Sequence, residues 1–290
     1  MKSLKSLIEN INKIPELEKK GEEMIYSIKT VAGIPAFNAA ETIGSVIRRA
    51  MLYVDKVIVV DDGSIDETAM VSNLAGAIVI KHKRNMGYGA ALSSIFMEAK
   101  KIGAEALVII DSDGQHNPDE IPIVLRPVVS RIADISIGSR FLKNDVNNVP
   151  VYRTFGIKLL NLVTSFLGAN VRDSQSGFRA YSKAAITLVK PSINGMGAGS
   201  EILIRASSAG LQIVEVPINC KYDFNSSSQN PILHGLNVIR SLLVYCISDN
   251  ANGSNGTFDN NSQKQPLRIL FKGNEQSAVV NVLKKKVEST

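Results

Sequence analysis

Five short apolar runs, rich in β-branched residues, recur along the first half of this chain: VAGIP at 31–35, VIVV at 57–60, AIVI at 77–80, ALVII at 106–110 and DISIG at 134–138. Helix-like segments lie between them at about 39–53, 65–74, 88–101 and 118–129. Strands that are apolar almost throughout cannot leave one face in water, and strands joined through helices run parallel. The predicted class is therefore α/β, a mostly parallel sheet flanked by helices, which takes its ligands beyond the carboxyl ends of the strands. At 290 residues the chain is long enough to build such a core.

The remaining pattern divides the chain. Leu4, Leu7, Ile8, Ile11 and Ile14 recur at helical spacing before Pro15, which predicts an amphipathic lead-in over 1–28. The main domain is read as 29–230: GSRF at 138–141 opens a loop, a helix follows near 155–167, then DSQSGFRAYS at 173–182. A helix over 201–210 ends at Gly210, and the strand IVEVPI spans 213–218. Over 231–248, Leu236, Ile239, Leu243 and Cys246 share one helical face, opposite His234, Asn237 and Ser241. Such a stripe either packs on the core or lies in the plane of a membrane surface. Residues 249–290 read as an Asn-, Gly- and Ser-rich linker and a tail carrying Lys284, Lys285 and Lys286.

A net charge of +6 suits an anionic partner such as a phosphate or a membrane surface, without the basic, aromatic-studded face that nucleic acid requires. Two cysteines make neither a disulfide framework nor a thiolate zinc site. No secretory leader is read at the start, and no 18-residue stretch is free of charged and polar groups. The expectation is a cytoplasmic protein that associates peripherally with the cytoplasmic face of a membrane.

Charged residues gather just after the strands. Asp111 and Asp113, in DSDGQ, stand one residue apart where a buried strand emerges. Like charges so close repel unless a cation sits between them. The same residues are consistent with an acidic turn that caps the next helix. A calcium loop of the EF-hand type fails, because its sixth and twelfth places hold His116 and Pro122. The phosphatase pattern D-x-D-x-T is weakened by Gln115 in its fifth place. Mg²⁺ or Mn²⁺ takes carboxylate and phosphate oxygens, which Asp111 and Asp113, with the Gln115 carbonyl, suit as the protein's share. His116 reads as a polar loop residue. A second acidic pair, Asp61 and Asp62 in VIVVDDGSIDET, is either a turn or an acceptor for a nucleobase or ribose, together with Glu41. NMGYGAA at 85–91 is a glycine-rich helix entry of no established ligand pattern.

In this order, IPAFNAAETI, VIVVDDGSIDET, NMGYGAA, VIIDSDGQHNPDEIP, GSRF, SGFRAYS and IVEVPI resemble the family 2 glycosyltransferases of GT-A fold, and more closely the dolichyl-phosphate sugar synthases in an archaeal-like variant. The resemblance covers about residues 29–220. It implies a nucleotide-sugar donor, with Pro35, Ala36, Glu41, Asp61 and Asp62 about the nucleoside and Asp111, Asp113 and Gln115 on the metal. It puts Arg140 and Arg153 at phosphates, and Ser176 and Arg179 near the sugar and acceptor. After VPI the chain departs from the eukaryotic-like synthases: NCKYDFNSSSQNPILHG replaces a basic loop, with Lys221 left to supply charge.

The function this implies is inverting transfer of a sugar from a UDP- or GDP-sugar to dolichyl or polyprenyl phosphate. Asp173 would then orient rather than accept a proton. A glycan or small-molecule hydroxyl is the alternative acceptor. A catalytically silent binder of nucleotide sugar or lipid phosphate is the alternative of another class.

Overall fold

The computed structural model describes residues 29–142, 160, 161, 164, 165 and 168–220. The lead-in over 1–28, Arg153, Lys221, most of the 155–167 helix, the 231–248 segment, the linker and the basic tail lie outside these residues.

Alternation along each strand sorts the core into two layers. In β1 (Thr30–Ala36) Val31 belongs to one layer and Ala32, Ile34 and Ala36 to the other. In β2 (Lys56–Asp61) Ile58 and Val60 oppose Val57 and Val59, and in β4 (Ala106–Ile109) Leu107 and Ile109 oppose Ala106 and Val108. The first layer packs on Leu92, Ile95 and Phe96 of α3 (Tyr88–Lys101) and on Ile202 and Leu203 of α6 (Ala198–Ser208). The second packs on Ile43, Val46 and Ile47 of α1 (Ala40–Ala50) and on Ile121, Val124 and Leu125 of α4 (Ile121–Val129). Each such side chain contributes about 1.5–3 kcal/mol on burial. Covering both faces is what the unbroken apolar runs require.

The described sheet has the order β3-β2-β1-β4-β6-β5-β7. β3 (Ile78–Lys81), β2, β1 and β4 are mutually parallel, and β5 (Ile135–Ser139) runs parallel to β7 (Ile213–Pro217). Each expected strand is present within a residue or two. The difference is β6 (Arg179–Ser182), inserted antiparallel between β4 and β5, a segment not read as a strand from the sequence. Four residues headed by arginine carry no apolar run. Their strand character comes from the backbone partners on either side, with Ile109 opposite Arg179. Two short helices, α2 (Thr68–Leu74) and α5 (Lys183–Leu188), complete the described elements beside a 3₁₀ turn at Pro118–Glu120.

From β1 the chain winds outward through β2 and β3, then returns to β4 on the other side of β1. That reversal opens a crevice beyond the carboxyl ends of β1 and β4. The acidic pairs Asp61 and Asp62, at the end of β2, and Asp111 and Asp113, after β4, lie along this edge.

Candidate active site

β4 delivers Asp111. After Ile110, whose N–H donates to the Gly33 carbonyl at 3.1 Å, the chain leaves the sheet and turns. The Thr42 hydroxyl on α1 donates to the Ser112 carbonyl at 2.7 Å, and Asp113 Oδ1 accepts the Gln115 N–H at 2.9 Å. Gly114, at φ +74°, takes the left-handed conformation that closes the turn. Asp111 is half-buried beside the Tyr88 hydroxyl, 3.5 Å from Oδ1, and His116 Nε2, 3.6 Å from Oδ2. Partial burial pushes the Asp111 carboxyl above its ordinary range, while Arg140, Tyr88 and Arg179 pull it back. Crowding by the surrounding protein raises Asp113, and the neighbouring Asp111 charge raises it further.

The two carboxylates thus sit close enough to repel each other, and a cation between them relieves both. Among the described residues no third His, Cys, Asp or Glu joins them in a metal-binding group. Two hard carboxylates with coordination positions left for phosphate oxygens fit Mg²⁺ or Mn²⁺. Gln115 is half-buried at the end of the same turn.

Behind the pair lies a cavity of about 270 Å³, and it brings together Pro35, Asp111, Asp113, Ser176 and Arg179 of the residues expected from sequence. It also exposes several that sequence reasoning passed over: Tyr88, Ser112, Gln175, Gly177 and Met196. Tyr88 was within reach, because it follows the glycine that starts α3 (Gly87, φ +99°) beside an acidic strand end. Ser176 is buried, with Oγ accepting the Phe178 N–H at 3.3 Å. Arg179 is 3% exposed; Nη1 donates to the Gly199 carbonyl at 2.7 Å and Nη2 to the Ser174 carbonyl at 2.6 Å.

The other acidic pair divides its work. Asp62 Oδ1 accepts the Met86 N–H at 2.9 Å and meets His82 Nδ1 at 2.6 Å, while Oδ2 accepts the Gly87 N–H at 2.8 Å. His82 Nε2 reaches Ser94 Oγ on α3 at 2.9 Å. Asp62 therefore ties down the loop that leads to Tyr88. Asp61 spends Oδ1 on the Ser64 N–H at 2.9 Å; its buried Oδ2 has no hydrogen-bond partner, with Lys81 Nζ at 3.7 Å. Ala36 ends β1 and its carbonyl accepts the Asp62 N–H at 2.8 Å, whereas Glu41 stands exposed on the first turn of α1.

Arg140 is gripped rather than free. Its Nε donates to Asp173 Oδ2 at 2.8 Å, Nη2 to Oδ1 at 2.6 Å, and its backbone N–H to Oδ2 at 3.0 Å. Asp173 is fully buried, and its own N–H donates to Glu215 of β7 at 3.0 Å. This fork fixes the strand-end loop of β5 to the segment that precedes β6.

The chain matches the family model described as Glycosyl transferase family 2 over residues 32–188. It is 32% identical over 247 residues to the UDP-N-acetylglucosamine–dolichyl-phosphate N-acetylglucosaminyltransferase of Methanococcus voltae, covering 77% of this chain and 96% of that one. It is 33% identical over 203 residues to the polyprenol monophosphomannose synthase of Mycolicibacterium smegmatis, covering 66% and 76%. In fold it is similar to glucosyl-3-phosphoglycerate synthase from Mycobacterium tuberculosis, crystallised with Mn²⁺, UDP and glucosyl-3-phosphoglycerate. The TM-score is 0.61 at 24% identity, covering 78% of this chain and 82% of that one.

Proposed function

Because the chain belongs to glycosyl transferase family 2, we propose that it moves a sugar from a nucleotide-diphosphate donor to the phosphate of a polyisoprenoid lipid, with inversion at the anomeric carbon. The observation that carries this reading is the acidic pair Asp111 and Asp113 at the cavity that also holds Arg179. The transferases of Methanococcus voltae and Mycolicibacterium smegmatis, which act on dolichyl and polyprenol phosphates by name, support the acceptor.

In this reading Pro35, Ala36, Glu41 and Asp61 line the nucleoside end, and Asp61 Oδ2 accepts a hydrogen bond from the base. Asp62 keeps the adjoining loop in place. Asp111 and Asp113, with Gln115, hold Mg²⁺ or Mn²⁺ on the diphosphate. An ion held by these residues would supply neutralisation of the charge on the departing nucleotide. The chain's own contribution is to position donor and acceptor and to exclude water.

A lipid phosphate is anionic at neutral pH and attacks without a general base. Asp173 fits that chemistry, since both of its oxygens are engaged by Arg140. A hydroxyl acceptor would instead need a carboxylate free to take its proton. Access to the lipid requires a membrane surface, which we assign to peripheral contact on the cytoplasmic face; among the described residues no helix is long and apolar enough to cross a membrane.

The test is transfer from labelled UDP- and GDP-sugars to polyprenyl phosphate with Mn²⁺, followed by extraction into organic solvent. Acid-labile label in the organic phase, lost by about 10³-fold in Asp113→Ala, supports the reading. Label only on a water-soluble glycan favours a hydroxyl acceptor, and binding without transfer favours a silent protein.

A further inference from the structure

We infer that Glu120 is a positioning residue for the metal turn: by clasping Asn219, just past β7, it fixes the end of the turn that carries Asp113 and Gln115. This rests on the metal binding proposed above and gives a role to a buried carboxylate that the transfer reaction does not use.

The turn is held unequally along its length. Asp111 follows directly on β4 and stands against Tyr88 and Gly177, so the sheet itself places it. Asp113 is exposed, and its Oδ1 accepts the Gln115 N–H within the turn, across the left-handed Gly114. A bond internal to a turn shapes it without tying it to the rest of the protein, and glycine leaves the backbone there free to move. Where Asp113 stands therefore depends on what holds the chain after it.

Two restraints follow it. Arg49 of α1 donates from Nη2 to Asp119 Oδ2 at 2.6 Å, but the two side chains are 43% and 47% exposed, and an ion pair in water contributes little. Glu120 is 5% exposed. Its two oxygens accept the Asn219 backbone N–H at 3.1 and 3.0 Å, and Oε1 accepts Asn219 Nδ2 at 2.7 Å. Hydrogen bonds to a carboxylate out of water are the stronger kind. Beside this clasp the buried His116 forms an isolated antiparallel bridge with Cys220 and packs on Phe178. Asn219 is itself fixed by the sheet, since the neighbouring Ile218 N–H donates to the Ser139 carbonyl at 3.2 Å. The sheet thus holds the far end of the turn through a residue 99 positions along the chain from Glu120. Release of the clasp leaves Asp111 in place and lets Asp113 swing away under the repulsion between them. A cation must then reorder the turn before both carboxylates can grip it, and its affinity falls.

The experiment titrates the full chain with Mn²⁺ in the presence of UDP. The free ion is followed by electron paramagnetic resonance, corrected for the Mn²⁺ that UDP holds alone, beside urea denaturation in chelator. Glu120→Gln is expected to weaken Mn²⁺ binding about tenfold, the low end of what losing a group that orients metal ligands costs. Asn219→Ala keeps the backbone N–H and loses only the Nδ2 bond; it should weaken Mn²⁺ about threefold, and it carries the test should the buried substitution unfold the chain. The double variant should bind no more weakly than Glu120→Gln, because both changes act through one clasp. As a control, Ser182→Ala uncaps α5 at the opposite end of β4 and should lower the urea midpoint while leaving Mn²⁺ affinity unmoved. Affinities within about twofold of the parent in both clasp variants, additive losses in the double variant, or an equal loss in Ser182→Ala overturns the inference and leaves the metal assignment standing. A parent chain that takes up no Mn²⁺ sinks the metal assignment and this inference with it.

Discussion

Gly177 lies so close to Asp111 that a Cβ on the glycine would stand 2.2 Å from Oδ2 and 2.7 Å from Oδ1. The first carboxylate of the acidic pair rests on bare backbone from the segment that enters β6. The clash of an alanine there falls on the end of a side chain, which moves at small cost to folding. Gly177→Ala is therefore expected to fold with a melting temperature within a few degrees of the parent, yet to lose transfer by about 100-fold because the carboxylate is misplaced. Steady-state kinetics beside a thermal scan check this; normal turnover would mean Asp111 needs no such seat.

Asp61 and Asp62 should separate on mutation. Asp62→Ala removes three contacts from a buried carboxylate and is expected to cost about 2–4 kcal/mol, read from urea denaturation. Asp61→Asn keeps an oxygen for the Ser64 N–H and should cost about 1 kcal/mol or less, while weakening UDP and GDP binding about tenfold. A reversed pattern would exchange the roles assigned to the pair.

Breaking the Arg140–Asp173 fork should be severe. Asp173 is fully buried, and removing one partner of a buried ion pair costs about 3–5 kcal/mol. Asp173→Asn, which keeps the shape and removes the charge, is expected to lose less than Asp173→Ala. Denaturation midpoints of the two variants decide it. If Asp173→Ala were fully stable but inactive, the residue would belong to the chemistry instead.

His116 gives a pH signature. It is 4% exposed; burial, and after it the Arg140 charge, lowers its pKa from 6.5 to about 4. Between those values the unfolded chain binds the proton and the folded chain does not, so stability falls as the medium is acidified through that window. The whole effect is worth about 3 kcal/mol. In chelator, His116→Phe, which can keep the packing on Phe178 (ring centroids 5.4 Å apart), is expected to show a flatter fall in urea midpoint than the parent. Parallel curves would show that His116 titrates normally.

Much of this site was legible along the chain. Runs such as VIVV and ALVII announce strands buried on both faces, and DSDGQ directly after one of them puts its acidic pair at the ligand edge. The parallel half of the sheet follows from the same alternation. Those features are local, since period, apolarity and the residue after a strand's end are properties of a few neighbours.

What only tertiary closure settled lies where distant segments meet. RAYS becomes a strand because β4 and β5 leave a gap between them; Gly177 matters because that strand's approach crosses Asp111; and of two adjacent aspartates one is consumed by Met86 and Gly87, more than 20 residues on. A carboxylate reads the same in sequence whether its oxygens face a ligand or a backbone amide. Which of them it faces depends on contacts across long loops, and those exist only once the chain has folded.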